Sequence, residues 1–126
     1  MSHANPNLLV IDDDLRACQY LSDVLLHIGY RASFAHSWTS AMKALQQNKF
    51  DIMLLDETMA HRQGEYLIAG LREHGHGQPV IIMSPMADTL LVDWTGLGAD
   101  SIIRKPTSPS RLKETIQCAA SHAAGH

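Results

Sequence analysis

The chain has 126 residues, 45% of them hydrophobic, and a formal net charge of −3, which is the length of one domain with enough apolar content for its own core. The mildly acidic balance gives no basic footprint for nucleic acid, and no apolar run approaches the roughly 20 residues that a membrane-spanning helix needs. Met1 to Asn7 lacks the charged-then-apolar layout of a secretory signal, and Cys18 and Cys118 read as free thiols of a cytoplasmic protein rather than as a disulfide or metal pair.

Short apolar runs alternate with segments of helical period. Leu8-Leu9-Val10-Ile11 is a buried first strand, followed at once by three acids. From Asp14 the apolar residues Leu15, Cys18, Leu21, Val24, Leu25 and Ile28 recur at helical spacing, and Gly29 suits the end of that helix. Arg31 to Ala35 is a second strand, and Ser37 caps a second helix running to about Asn48. Asp51 to Leu55 is a third strand, Tyr66 to Glu73 a third helix, and Pro79 to Met83 a fourth strand. Ala87 to Leu97 is a fourth helix and Ser101 to Ile103 a short fifth strand. Ser108-Pro109 puts a cap and then a proline at the first helical position, opening a fifth helix to about His122 and leaving 123–126 as a frayed tail. Five strands alternating with five helices predict an α/β fold with one parallel sheet covered on both faces. No repeat or linker interrupts it, so residues 1–126 are expected to form a single domain with its core between about 7 and 120.

In an open α/β sheet, ligands bind beyond the carboxyl ends of the strands, where the strand order reverses. Strand one ends in Asp12 and Asp13, strand three in Asp56, strand four in Ser84, and strand five in Arg104 and Lys105. If these strands are neighbours, three carboxylates, a hydroxyl and an ammonium meet in one crevice. Clustered carboxylates repel unless a cation neutralises them, and an all-oxygen cluster suits Mg²⁺. A carboxylate beside such an ion is a nucleophile toward phosphorus, with Lys105 and the metal placed to neutralise charge on a transferring phosphoryl group.

These residues, taken together, resemble the receiver domains of two-component response regulators. The matching pieces are the acids of VIDDD, LLDETMAHRQG around Asp56, PVIIMS ending in Ser84, and GADSIIRKP ending in Lys105-Pro106, over about Asn7 to Ala120. The resemblance implies strand order 2-1-3-4-5 and a phosphoacceptor, Asp56, loaded from a phosphohistidine on a histidine kinase or phosphotransfer protein. It implies Mg²⁺ held by Asp13, Asp56 and the backbone carbonyl of Thr58, with Asp12 acting through water. Lys105 would pair with the phosphoryl group and be joined to Pro106 by a cis peptide. Ser84 would swing to hydrogen-bond the phosphoryl group, repacking the face of the fourth helix, fifth strand and fifth helix. Such a chain is a phosphoacceptor rather than an enzyme. It signals to a downstream protein as a monomer or as a weak dimer through that face, with no nucleic acid or membrane partner of its own.

Three positions depart from the family pattern. Pro85 follows the switch serine and has no N–H to donate, a loss of about 1.5–3 kcal/mol for a bond to a charged acceptor. Ile102 stands where receivers commonly carry the Tyr or Phe that reports the switch, and Ala60 stands where Pro is common. Thr58 and Met86, at positions that tune dephosphorylation, offer no carboxylate or amide to orient water, which implies slow self-hydrolysis.

Asp14 reads as a helix cap and Glu57 as a solvated neighbour of the site. Leu15 and Cys18 fit the inner face of helix one as well as a kinase-facing surface. Trp38 and Trp94 read as partly buried, and His74-Gly75-His76 as a solvated loop rather than a metal site. Asp12-Asp13-Asp14 also fits the D-x-D signature of haloacid-dehalogenase-like phosphatases, but Leu15 departs from that pattern and Asp56 would have no role. The acidic first loop argues against a flavin phosphate cradle. The stronger rival is a receiver-like docking module whose switch is impaired at Pro85 and Ile102.

Overall fold

The computed structural model describes residues 6–62, 65–85, 92–105 and 107–124. In chain order the elements are β1 (Asn7–Ile11), α1 (Leu15–His27), β2 (Arg31–Ala35), α2 (Trp38–Gln47), β3 (Ile52–Asp56) and α3 (Glu57–Ala60). They continue with β4 (His61–Arg62), β5 (Glu65–Tyr66), α4 (Leu67–Glu73), β6 (Val80–Ser84), β7 (Ser101–Arg104) and α5 (Pro109–Ala124). Five strands make one parallel sheet in the order β2-β1-β3-β6-β7. Numbered by chain order within the sheet, that is the expected 2-1-3-4-5. β4 and β5 form a separate antiparallel ladder of two residue pairs.

Alternation along the three central strands, β1, β3 and β6, explains why they read as unbroken apolar runs. Successive side chains point to opposite faces, and here both faces are covered. Leu8, Val10, Ile52, Leu54, Ile81, Met83 and Ile103 pack with Leu21, Val24 and Leu25 of α1 and Leu112, Ile116 and Ala119 of α5. Leu9, Ile11, Met53, Leu55, Val80 and Ile82 face the other way, onto Ala41 and Leu45 of α2, Ile68 and Leu71 of α4, and Trp94.

The helix signals act where expected. The Asp14 side chain accepts from the N–H groups of Arg16 and Ala17 at the start of α1. That helix closes with a paired motif: Gly29, at φ 94°, donates to the Leu26 carbonyl, and Tyr30 to that of Leu25. Ser37 and Ser40 form a reciprocal capping box on α2.

The structure differs from the sequence expectation in the fourth helix, in an added short helix and in the bounds of three strands. The described part of the fourth predicted helix, Val92 to Leu97, is a series of turns ending at Gly98 with φ 110°. The Asp93 side chain accepts from the Thr95 hydroxyl and the Gly96 N–H, and local bonds of that kind compete with regular helix. Its start at Ala87, like Met86, lies outside the described residues. Conversely, α3 is a single turn, too short to show a helical period, and it makes up the five helices described. β3 and β6 begin and end one residue later than the predicted spans and β7 ends one residue later, so Asp56, Ser84 and Arg104 are the last residues of their strands. No helix among the described residues is long and apolar enough to cross a membrane.

Candidate functional site

Because the sheet strands are parallel, their carboxyl ends share one edge, and the chemistry-bearing residues gather there. Asp12 follows β1 directly and is fully buried; its backbone N–H donates to the Ala35 carbonyl, which extends the β1–β2 ladder by one bond. The Asp14 N–H donates to Asp12 Oδ1 at 2.9 Å. Asp56 ends β3 at 5% exposure, with the Met59 N–H 3.3 Å from its Oδ2.

Lys105 follows β7, tied to β6 by its own N–H, which donates to the Ser84 carbonyl at 2.7 Å. Its Nζ reaches Asp12 Oδ2 at 2.6 Å and Asp56 Oδ1 at 2.7 Å, joining residues 93 and 49 positions away in the chain. Burial pulls the Lys105 pKa down, but the bonds to Asp12 and Asp56 outweigh it, so the net shift is upward and the ammonium form is favoured. Asp13 is exposed at the mouth of the crevice. Asp12, Asp13 and Asp56 each offer an oxygen within 4.8 Å of the others, a set able to hold a metal ion. One ammonium among three carboxylates leaves an excess of negative charge, so an all-oxygen divalent site fits this donor set. Thr58 lies in α3 with an exposed side chain. The peptide between Lys105 and Pro106 lies outside the described residues.

Ser84 is brought to the same edge, yet its hydroxyl is engaged elsewhere. It donates to Glu57 Oε1 at 2.7 Å, while the Trp94 indole N–H donates to Glu57 Oε2 at 2.6 Å. All three residues are buried, with exposures of 2%, 3% and 1% in that order for Ser84, Glu57 and Trp94. Glu57 is therefore not a solvated neighbour, and Trp94 is wholly rather than partly buried. The signal that could have found Glu57 is register. Asp56 pairs with Met83, so one step on, Glu57 stands beside Ser84. By alternation both continue the face of Leu55 and Ile82, onto which Trp94 packs. No spacing in the sequence brings Trp94 there, because the turns from Val92 to Gly98 set its direction.

Pro85 is exposed at the start of the following loop, and Ile102 is 39% exposed on β7. Leu15 is 66% exposed, while Cys18 is buried, so the first turn of α1 splits between surface and core. A groove of about 330 Å³ beside Lys105 is lined by Ala17, Tyr20 and Leu21 of α1 and by Ile103 and Thr107. Trp38 is partly buried against the α2–α4 side of the core. Among the described residues, no group of three or more metal-ligating side chains includes a histidine.

A model of the response regulator receiver domain matches residues 8–117. The chain is 29% identical over 123 residues to the transcriptional regulatory protein ZraR of Escherichia coli K12, which covers 97% of this chain and 28% of that protein. It is 30% identical over 125 residues to the transcriptional regulatory protein GlrR of the same strain, covering 98% of this chain and 28% of that one. The chain thus spans little more than a quarter of the length of these relatives. Among solved structures, the Francisella response regulator 1452 receiver domain matches with a TM-score of 0.80 at 26% identity, covering 94% of this chain and 98% of that one. Full-length FixJ from B. japonicum matches with a TM-score of 0.83 at 26% identity, covering 94% and 59%.

Proposed function

The chain belongs to the response regulator receiver domain family, and on that premise we propose that Asp56 accepts a phosphoryl group from a phosphohistidine on a histidine kinase or phosphotransfer protein, in a Mg²⁺-dependent reaction. The observation that carries this reading is the Lys105 ammonium bridging Asp12 and Asp56 at the carboxyl edge of the sheet. A buried carboxylate beside two further acids and one cation suits a reaction that delivers a dianionic group.

One oxygen of Asp56 attacks phosphorus as the P–N bond to the donor imidazole breaks, and that electron pair stays on the imidazole nitrogen. Lys105 then neutralises charge on the incoming phosphoryl oxygens. Asp13, Asp56 and the Thr58 carbonyl would hold Mg²⁺, with Asp12 acting through water, and the ion would supply further neutralisation of the phosphoryl charge. Ser84 turns toward the phosphoryl group once it is in place. Exposed Leu15 and the apolar groove beside Lys105 support docking of the phosphodonor protein there. Output passes through contacts with a downstream protein, and the chain acts in the cytoplasm.

A second reading has its own observations. Pro85 brings no N–H to the loop, Ile102 is aliphatic and partly exposed, and the Ser84 hydroxyl is held by Glu57. These favour a docking module in which phosphorylation alters little. Intact mass after incubation with Mg²⁺ and acetyl phosphate separates the two. One added phosphoryl group, absent without Mg²⁺ and in Asp56→Asn, is the expected result. No adduct, with no beryllofluoride binding either, would leave the docking module as the better account.

A further inference from the structure

A serine hydroxyl carries one proton. Here that proton is committed to Glu57 Oε1 at 2.7 Å, in a bond assisted by the carboxylate's charge and enclosed by protein. While it stays there it is not available to a phosphoryl group on Asp56. Pro85 makes the conflict sharper: with no N–H from the next residue, the Ser84 hydroxyl is a larger share of the donors this loop can offer. The other Glu57 oxygen holds the indole of Trp94 at 2.6 Å, inside the apolar layer shared with Ile68 and Leu71.

We propose that Glu57 is a positioning residue that withholds the Ser84 hydroxyl from the phosphoacceptor and relays its release to Trp94. The idea rests on Asp56 being that phosphoacceptor. When Ser84 turns toward the phosphoryl group, Glu57 Oε1 loses a donor at a buried position. The carboxylate then resettles against its remaining donor, and Trp94, with the turns Val92 to Gly98 that carry it, shifts in response. In this chain Trp94 is the ring that reports the state of Ser84, in place of the one that Ile102 does not supply.

The test follows the indole N–H resonances of Trp38 and Trp94 by NMR in the full chain, assigned with Trp38→Phe, as Mg²⁺ and beryllofluoride are added. The Trp94 resonance is expected to move at saturation. Beryllofluoride affinity is then measured in the original chain, Glu57→Gln, Ser84→Ala and the double variant. Glu57→Gln exchanges a charge-assisted bond for a neutral one and is expected to tighten binding about fivefold. Part of any gain reflects a lost negative charge near the site, and that part survives in Ser84→Ala; the part due to withholding does not. An equal gain in both backgrounds, or a Trp94 resonance unmoved at saturation, overturns the proposal. The resonance decides the matter alone if Glu57→Gln does not fold. Absence of beryllofluoride binding by the original chain instead overturns the phosphoacceptor reading itself.

Discussion

Asp56 and Glu57 are joined by one peptide bond and are almost equally buried, at 5% and 3% exposure, yet their side chains bond to different partners. Asp56 meets an ammonium at 2.7 Å and lies within a cluster of acids open to solvent at Asp13. Glu57 meets a hydroxyl and an indole N–H, both neutral, on the opposite side of the sheet. Asp56 continues the parity of Ile52 and Leu54, and Glu57 that of Met53 and Leu55. A carboxylate can thus be kept in the interior by a full opposite charge or by two neutral donors. The first arrangement leaves room for exchange of one cation for another; the second ties the residue to the packing around it.

Removal of each partner should separate these two modes. The largest effect is expected for Lys105→Ala, which strands Asp12 and Asp56 without their cation and should lower stability by about 3–5 kcal/mol in urea melts without divalent ions. Added Mg²⁺ should recover part of that loss. A loss below about 1 kcal/mol would mean that the pair behaves as an ordinary surface bridge, and the contrast with Glu57 would collapse. The pH dependence has a definite sign. Since the Lys105 pKa is raised in the fold, its contribution is present in full below the ordinary value of 10.5 and is lost as pH rises through the raised one. As the lysine loses its proton, the stability gap between the original chain and Lys105→Ala should therefore narrow in the alkaline range.

Glu57→Ala should cost about 2–3 kcal/mol by leaving the Ser84 hydroxyl and the Trp94 indole without this acceptor in the interior. Mg²⁺ should not restore it, because no charge has been left uncompensated. A Mg²⁺-dependent recovery in this variant would show that the two carboxylates belong to one site after all. The smallest effect concerns Cys18, whose thiol lies 3.4 Å from the Asp12 carbonyl. Burial, and then Asp12, push it up to about 11. Since the thiolate is the reactive form, Cys18 should alkylate at pH 8 at least about tenfold more slowly than exposed Cys118. Its rate should climb with pH until near 11. Mass mapping of the alkylated peptides measures both, and equal rates would show that the acidic crevice is open from the α1 side.

How much was legible follows from where each signal resides. The central strands announced themselves as apolar runs because both their faces are covered, and the caps at Asp14, Ser37 and Ser108 rest on the chemistry of single residues beside their helices. The acids at 12, 13 and 56, with Ser84 and Lys105, stood at strand ends, so alternation of strands and helices was enough to send them to one edge. The described end of the fourth predicted helix failed because apolar spacing says nothing of an Asp93 side chain that binds its own turn.

The sequence by itself determined the α/β alternation, the faces that its strands bury, and the residues offered at the carboxyl edge, since these depend on local period and on side chains next to one another in the chain. Only the tertiary structure decided which carboxylate receives which partner. Lys105 reaches Asp12 and Asp56, while Glu57 turns inward to Ser84 and Trp94, because register and packing bring together groups from 27 to 93 residues apart. Contacts at that range leave no periodic trace in the chain.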